Sequence, residues 1–254
     1  MTKQLSKVEA FHKWHVAGKP LVLFNVWDAG SAKAVTQGGV KAVATSSWAV
    51  ADAHGFPDGE QIPRDLAMAN LRRIVGVTEL PVTVDIESGY GDDPETVGET
   101  IRLAIEAGSV GCNLEDSFPA DGKMRKTADQ AARIRRGREI ADASKLRFFI
   151  NARTDVFFQA AAKEHNEAMV AETLERAKAY ADAGADGLFA PGLANMKLIA
   201  RLAKASPLPL NIMVGMNPAL PELAESGVAR VSYGGNSYGN AMKILEEAAR
   251  AASK

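Results

Sequence analysis

The chain has 254 residues, 46% of them hydrophobic, with a formal net charge of -1 and a pI near 6.5. That length suits one large α/β domain over residues 1–254, and the near-neutral balance leaves no footprint for nucleic acid or an anionic membrane. No apolar run approaches the roughly 20 residues of a membrane span, the start has no signal-peptide pattern, and Cys112 is the only cysteine, so a cytoplasmic protein without an intramolecular disulfide is expected.

Taken in order, the pattern predicts an amphipathic helix over residues 6–15 and then short apolar strands at 21–26, 41–45, 82–86, 110–114, 147–152, 187–190, 208–214 and 229–233. The helices that follow them fall at 31–37, 65–75, 94–107, 128–143, 166–183, 194–205, 219–225 and 240–252. Pro94 suits a first helical turn. Strict alternation implies a parallel sheet, and about eight units imply a (β/α)8 TIM-type barrel with an extra amino-terminal helix. Gly39, Gly108, Gly184 and Gly227 each stand just past a helix and just before a strand, where a left-handed cap is needed. The stretch 49–63 reads as a long loop carrying His54, Asp58 and Glu60. The basic run Arg133, Arg135, Arg136 and Arg138 is expected on the wet face of its helix.

In such a barrel the active site is built at the carboxyl ends of the strands. There the sequence places Asn25, Asp28, Ser46, Ser47, Trp48, Asp85, Glu87, Asn113, Glu115, Asp116, Asn151, Arg153, Asp155 and Asn236. Asp85 and Glu87 share strand parity, so both are expected to leave their strand on one side. Two acids so close either hold a cation or mark a solvated acidic loop. With Glu115 added and Arg153 to balance them, the set has spare negative charge, which suits Mg2+ or Mn2+ on Asp85, Glu87 and Glu115. Glu115 and Arg153 share the parity of Asn113 and Asn151 and are expected to face the barrel axis, with Cys112 turned toward the helices. Asp58 either reaches over the site as an outer-shell acid or base, or caps a solvated Pro57-Asp58-Gly59 turn. The glycine turn over 233–239, which contains Asn236, either holds an anion on its N–H groups or is only a tight turn. No lysine lies at a strand end, so a Schiff-base nucleophile is lacking, and no Walker loop or Ser-His-Asp order is present.

From residue 21 to about 249 the chain resembles the isocitrate lyase/phosphoenolpyruvate mutase superfamily. The marks are Asn25 with Asp28-Ala29-Gly30-Ser31, Thr45-Ser46-Ser47, Asp58, Val84-Asp85-Ile86-Glu87-Ser88-Gly89-Tyr90-Gly91, Asn113-Leu114-Glu115-Asp116, Asn151-Ala152-Arg153-Thr154-Asp155 and Ala183-Gly184-Ala185-Asp186-Gly187. The resemblance implies a β/α barrel assembled as a homo-oligomer, a dimer or tetramer, that exchanges its last helix between subunits. It also implies Mg2+ or Mn2+ and a small 2-oxo carboxylate, with C–C or P–C bonds made or broken through an enolate. By position, Asp85 matches the direct metal ligand, and Asp58, Glu87 and Glu115 match acids that hold the metal largely through its waters. Ser46, Ser47 and Trp48 match the turn that holds the substrate carboxylate, and Arg153 matches the arginine facing the substrate.

Two departures stand out. Glu87 occupies a position that is usually aspartate in the family, and the gating loop 116–126 is short. That loop lacks both the Lys-Lys-Cys-Gly-His type sequence of the lyases and the longer asparagine-bearing loop of the mutases; Lys123 is the lysine placed to act from it. The expected function is a Mg2+-dependent lyase acting on a small 2-oxo acid by C–C cleavage or decarboxylation, oxaloacetate-decarboxylase-like activity included. The alternatives are a phosphonomutase or phosphonopyruvate hydrolase, and a barrel that binds 2-oxo acids without turnover.

Overall fold

The computed structural model describes residues 2–253. Helix α1 (Thr2–Lys13) precedes a first strand that Phe24 divides into β1 (Leu21–Leu23) and β2 (Asn25–Val26). There follow α2 (Ala29–Gln37), β3 (Val43–Thr45), α3 (Ser47–Ala53), α4 (Arg64–Val75), β4 (Val82–Asp85), α5 (Pro94–Glu106) and β5 (Gly111–Glu115). The second half holds α6 (Thr127–Ala143), β6 (Phe149–Arg153), α7 (Glu167–Asp182), β7 (Gly187–Phe189), α8 (Met196–Ala205), β8 (Leu210–Met213), α9 (Leu220–Glu225), β9 (Arg230–Ser232) and α10 (Asn236–Ala252). Every strand pairing is parallel; β9 pairs with β1 and β3 with β2. Because β1 and β2 are consecutive pieces of one strand, these two pairings close the sheet into the expected (β/α)8 barrel.

Local chemistry sets the boundaries. Asp28 caps α2 by accepting from the Ser31 N–H at 2.7 Å, and the Ser31 hydroxyl accepts from the Asp28 N–H. Two residues of the Asp28–Ser31 motif are thereby explained as a helix start. Pro94 opens α5 behind an Asp93 cap. Gly39, Gly108, Gly184 and Gly227 have φ of 83°, 93°, 100° and 85°, so the four junctions are left-handed as expected. The core lies between the sheet and the helix ring, with Cys112, Leu114, Ile134 and Ile150 fully buried in it. Helix α1 covers the amino-terminal end of the barrel: Phe11 packs edge-on against Phe149, and the His12 Nε2 lies 2.6 Å from the Arg147 carbonyl.

Four expectations change. The stretch 49–63 is partly helical, since Ser47–Ala53 forms α3. The last helix starts at Asn236 rather than at 240. Arg133 is not on a wet face; it is buried and donates to the carbonyls of Ser88 and Gly91 and to Gln130. Its helix tethers the loop after β4. Strand β4 ends at Asp85, and Glu87 adopts φ 52°, so strand parity does not carry from one acid to the other. Beyond Tyr238, α10 projects with its side chains largely exposed, Ile244 at 59% and Leu245 at 62%. Among the described residues no helix is long and apolar enough to cross a membrane.

Candidate active site

A cavity of about 240 Å3 opens at the carboxyl ends of the strands. Ser46, Ser47 and Trp48 from the start of α3, Asp58, Asp85 and Arg153 all line it. A larger cleft of about 420 Å3 lies at the amino-terminal end, bordered by Lys13, Lys19 and Lys41 and containing none of these acids.

Asp85 is the last residue of β4 and is fixed from two sides. Its N–H donates to the Thr45 hydroxyl at 2.8 Å, and its Oδ2 accepts from the Ser47 hydroxyl at 3.1 Å and the Ser47 N–H at 3.4 Å. Ser46 makes no side-chain cap on α3; Asp85 takes the Ser47 N–H instead, which leaves the Trp48 and Ala49 N–H groups of that first turn without a side-chain acceptor.

Arg153, at the end of β6, is held by a fork. Its Nε and Nη2 donate to the two oxygens of Asp155 at 2.7 and 3.0 Å, and its Nη1 lies 2.8 Å from Glu115 Oε2. Asp155 is itself held by the Ser117 hydroxyl at 2.7 Å and, through its N–H, by Asp116 Oδ1 at 3.0 Å. Asp116 is fully buried and accepts from the Tyr180 hydroxyl at 2.6 Å and Arg176 at 3.2 Å. A chain of charge-assisted bonds thus runs from α7 to the arginine in the cavity. Burial alone would lower Arg153, but Glu115 and Asp155 outweigh it and hold the guanidinium firmly charged. Burial pushes Glu115 up, with Arg153 opposing the shift.

The remaining acids crowd behind Asp85. Glu87 accepts from the Glu60 N–H at 2.6 Å through Oε2, while its buried Oε1 has no partner. Its pKa is pushed up to about 8 by burial, then by the charges of Asp58 and Asp85. Asp58 is also raised, by partial desolvation first and by Asp85 second. Glu60 binds the Ser88 hydroxyl and the Tyr90 N–H through Oε1, at 2.8 and 2.7 Å. Glu60, Glu87 and Tyr90 all have positive φ, near 61°, 52° and 62°. Non-glycine residues held there cost on the order of 1–3 kcal/mol each, and such strain gathers at functional sites.

Among the described residues, no three His, Cys, Asp or Glu side chains form a ready-made metal cage. The donor set fits a hard divalent ion that keeps several waters: Asp85 can bind it directly, while Asp58 and the orphaned Glu87 Oε1 can accept from its waters. Glu115 pairs with Arg153 through Oε2, because the β5–β6 register sets the two opposite each other. It still feels the charges of Asp85 and Glu87, so its place near the ion stays a proposal.

Other sequence candidates divide. Asn236 turns away from the cavity and donates to the Val214 carbonyl at 2.9 Å. Two N–H groups of its turn are already used: those of Tyr233 and Gly234 both donate to Asn25 Oδ1 at 2.9 Å, while Gly234 and Gly235 line the cavity. Asn25 in turn donates its amide to the Thr45 carbonyl at 2.7 Å. Cys112 is buried in the core with its thiol pushed up, which suits packing and not nucleophilic attack. The short gating loop is pinned. Ser117 and Met124 form a β-bridge, and Arg125 lies 3.9 Å over the Phe118 ring while pairing with Asp92 at 2.7 Å. Lys123 points outward, 79% exposed and paired with Asp121 at 2.7 Å.

The sequence reading missed the apolar part of the lining, where Phe158, Phe189, Pro191 and Met213 are found, Phe158 beneath the Arg153 guanidinium at 5.7 Å. A signal existed: β7 and β8 end in apolar residues and run on into Ala190-Pro191-Gly192 and Val214-Gly215-Met216, with no polar side chain, while every other strand has one at or just past its carboxyl end.

The model of the family described as phosphoenolpyruvate phosphomutase matches residues 11–253. A solved structure from Burkholderia cenocepacia J2315, named as a candidate phosphonomutase, is 54% identical, with a TM-score of 0.95 over 98% of this chain and 99% of that one. A Mycobacterium tuberculosis protein named MT2054 is 34% identical over 96% of this chain and 89% of its own length. The 2-methylisocitrate lyase of Salmonella typhimurium is 29% identical over 89% of this chain and 77% of its own.

Proposed function

The chain belongs to the phosphoenolpyruvate phosphomutase family, and from that premise we propose that it is a Mg2+-dependent lyase acting on a small 2-oxo acid by C–C cleavage or decarboxylation. The observation that carries the proposal is that Asp85, the first turn of α3 and Arg153 line one cavity. Asp85 would hold the ion (Mn2+ could take the same place), with Asp58 and Glu87 accepting from its waters. When bound, the ion would supply charge stabilisation for the oxyanion that develops as the bond to C3 breaks. The chain's own residues do the rest. The open N–H groups of the α3 turn receive the substrate carboxylate. Arg153, kept charged and immobile by Asp155 and Glu115, adds a second cationic contact. Asp58, which lines the cavity, is placed to carry a proton there.

A turnover screen with Mg2+ over oxaloacetate, 2-methylisocitrate, 2,3-dimethylmalate, phosphonopyruvate and a 4-hydroxy-2-oxo acid with an alkyl tail tests this reading. Pyruvate or another 2-oxo acid should accumulate from a C–C substrate; silence on all of them would sink it. The similarity to the Burkholderia candidate phosphonomutase favours a second reading, transfer at a P–C bond. In 31P NMR that reading predicts a phosphonate signal moving to the phosphate-ester or free-phosphate region.

We further propose a homo-oligomer, dimer or tetramer, in which the projecting part of α10 packs on a neighbouring subunit. Ile244 and Leu245 are large apolar side chains left in solvent on a helix that touches little of its own barrel. Light scattering of the double variant Ile244→Glu, Leu245→Glu should report a smaller species than the parent chain.

A further inference from the structure

The cavity has a second wall, and it is built as deliberately as the first. Trp48, Phe158, Phe189, Pro191 and Met213 form it. Three of these side chains lie on glycine. A Cβ at Gly235 would meet the Trp48 ring at 2.4 Å, one at Gly192 would meet Phe158 at 2.9 Å, and one at Gly234 would meet the Met213 sulfur at 2.7 Å. Any other residue at those positions would push the apolar groups off their seats. Trp48 and Phe158 nevertheless keep 42% and 48% of their surface open. Their free faces border the cavity, where a ligand can cover them.

The charge inventory is equally specific. Among the residues that line the cavity, Asp58, Asp85 and Arg153 carry charge, so Arg153 is the one cation. Glu115 and Asp155 already neutralise it. The Arg153 guanidinium lies 5.7 Å from the centre of the Phe158 ring, at the edge of the apolar wall. A ligand with one carboxylate head has partners here, while a second or third carboxylate at its far end would meet aromatic carbon and no further cation.

We infer that the apolar wall of Trp48, Phe158 and Met213 selects a 2-oxo acid, or a precursor of one, whose far end is an uncharged alkyl or aryl group instead of a further carboxylate. This rests on the 2-oxo acid reading of the same site. It separates the chain from tricarboxylate chemistry of the 2-methylisocitrate kind. Phe158 and Trp48 are specificity residues that touch the substrate tail, and Gly192 and Gly235 act through them by leaving them room.

Calorimetry on the whole chain, with and without Mg2+, tests the inference using pyruvate, 4-methyl-2-oxopentanoate and 2-oxoglutarate. The last two extend pyruvate by a branched apolar tail and by a charged one. Each buried methylene is expected to tighten binding about fourfold, so 4-methyl-2-oxopentanoate should bind at least ~10-fold tighter than pyruvate, and 2-oxoglutarate more weakly than either. Phe158→Arg, which places a cation in the wall at an exposed position, should invert the order of the two longer acids; circular dichroism checks that the variant is folded. Parity between the two longer acids, or an order that Phe158→Arg leaves untouched, would overturn the inference while the 2-oxo acid reading stands. Failure of pyruvate, oxalate and every other 2-oxo acid to bind would overturn that reading, and the inference with it.

Discussion

The two walls of the cavity are held by different physics. On the polar wall, position comes from directed bonds: Thr45 and Ser47 fix Asp85, and the Asp116–Asp155 chain fixes Arg153. On the apolar wall, position comes from space, through the close approach of Gly192, Gly234 and Gly235 to the side chains they seat. Directed bonds fail abruptly when one partner changes, because a buried charge or donor is left unpaired. Contacts over glycine fail gradually, because an aromatic ring at a cavity mouth can slide. The polar wall should therefore behave as a switch in mutagenesis and the apolar wall as a dial.

The largest effect is expected at Asp85. Asp85→Ala removes the one carboxylate that faces the cavity from a strand end, and Mg2+ binding should fall at least ~100-fold by calorimetry, with the melting temperature little changed. Unchanged Mg2+ affinity would take the residue out of the site. Arg153→Lys comes next. Charge is kept, but the bidentate grip on Asp155 is lost, at about 2 kcal/mol or some thirtyfold in kcat/KM. A lysine variant within threefold of the parent would show that charge alone suffices and that the fork is unnecessary. Gly235→Ala acts on the other wall. Its new methyl displaces Trp48 at a cost of about 1 kcal/mol in stability, and affinity for apolar 2-oxo acids should fall several-fold while Mg2+ affinity holds. If both affinities fell together, the walls would not be independent.

These contrasts also explain what the sequence could tell. The barrel was legible because short apolar runs, helix-length spacers and junction glycines repeat with one period, and all four of those glycines have the φ that the junction demands. Asp85 and Arg153 were legible because strand parity is a local property that survives to the last residue of each strand. Glu87 lay two residues further on, where β4 had already given way to a left-handed turn, and parity has no meaning there. Asn236 looked like a ligand contact because nothing in its own neighbourhood shows that its amide is taken by the Val214 carbonyl, or that Asn25, more than two hundred residues away, already holds two of the turn's N–H groups. Arg133 looked solvated for the same reason: its acceptors, the Ser88 and Gly91 carbonyls, belong to another unit. The apolar wall was least visible. Phe189 and Met213 end apolar strands, and an apolar residue there reads as core until the fold shows which face is open.

The smallest effect separates both walls from the floor beneath them. His15 lies under the barrel, stacked on Phe149 at 4.1 Å, with its Nδ1 2.7 Å from the Phe11 carbonyl. Burial, and then the charge of Arg230, lower its pKa to about 3. In the unfolded chain the ring titrates near 6.5. Between those values the unfolded state binds a proton that the folded state refuses, so stability is complete above pH 6.5 and declines as the pH falls toward 3. The loss is roughly 1 kcal/mol over the first unit below 6.5. Chemical denaturation at pH 7.5 and 5.5 should therefore show a steeper decline for the parent chain than for His15→Gln, which keeps a donor for Phe11 but cannot titrate. Equal declines would mean that the floor admits a charged ring. The ratio of the affinities for 4-methyl-2-oxopentanoate and pyruvate should change little over the same interval, because the wall that selects the tail has no titrating group of its own.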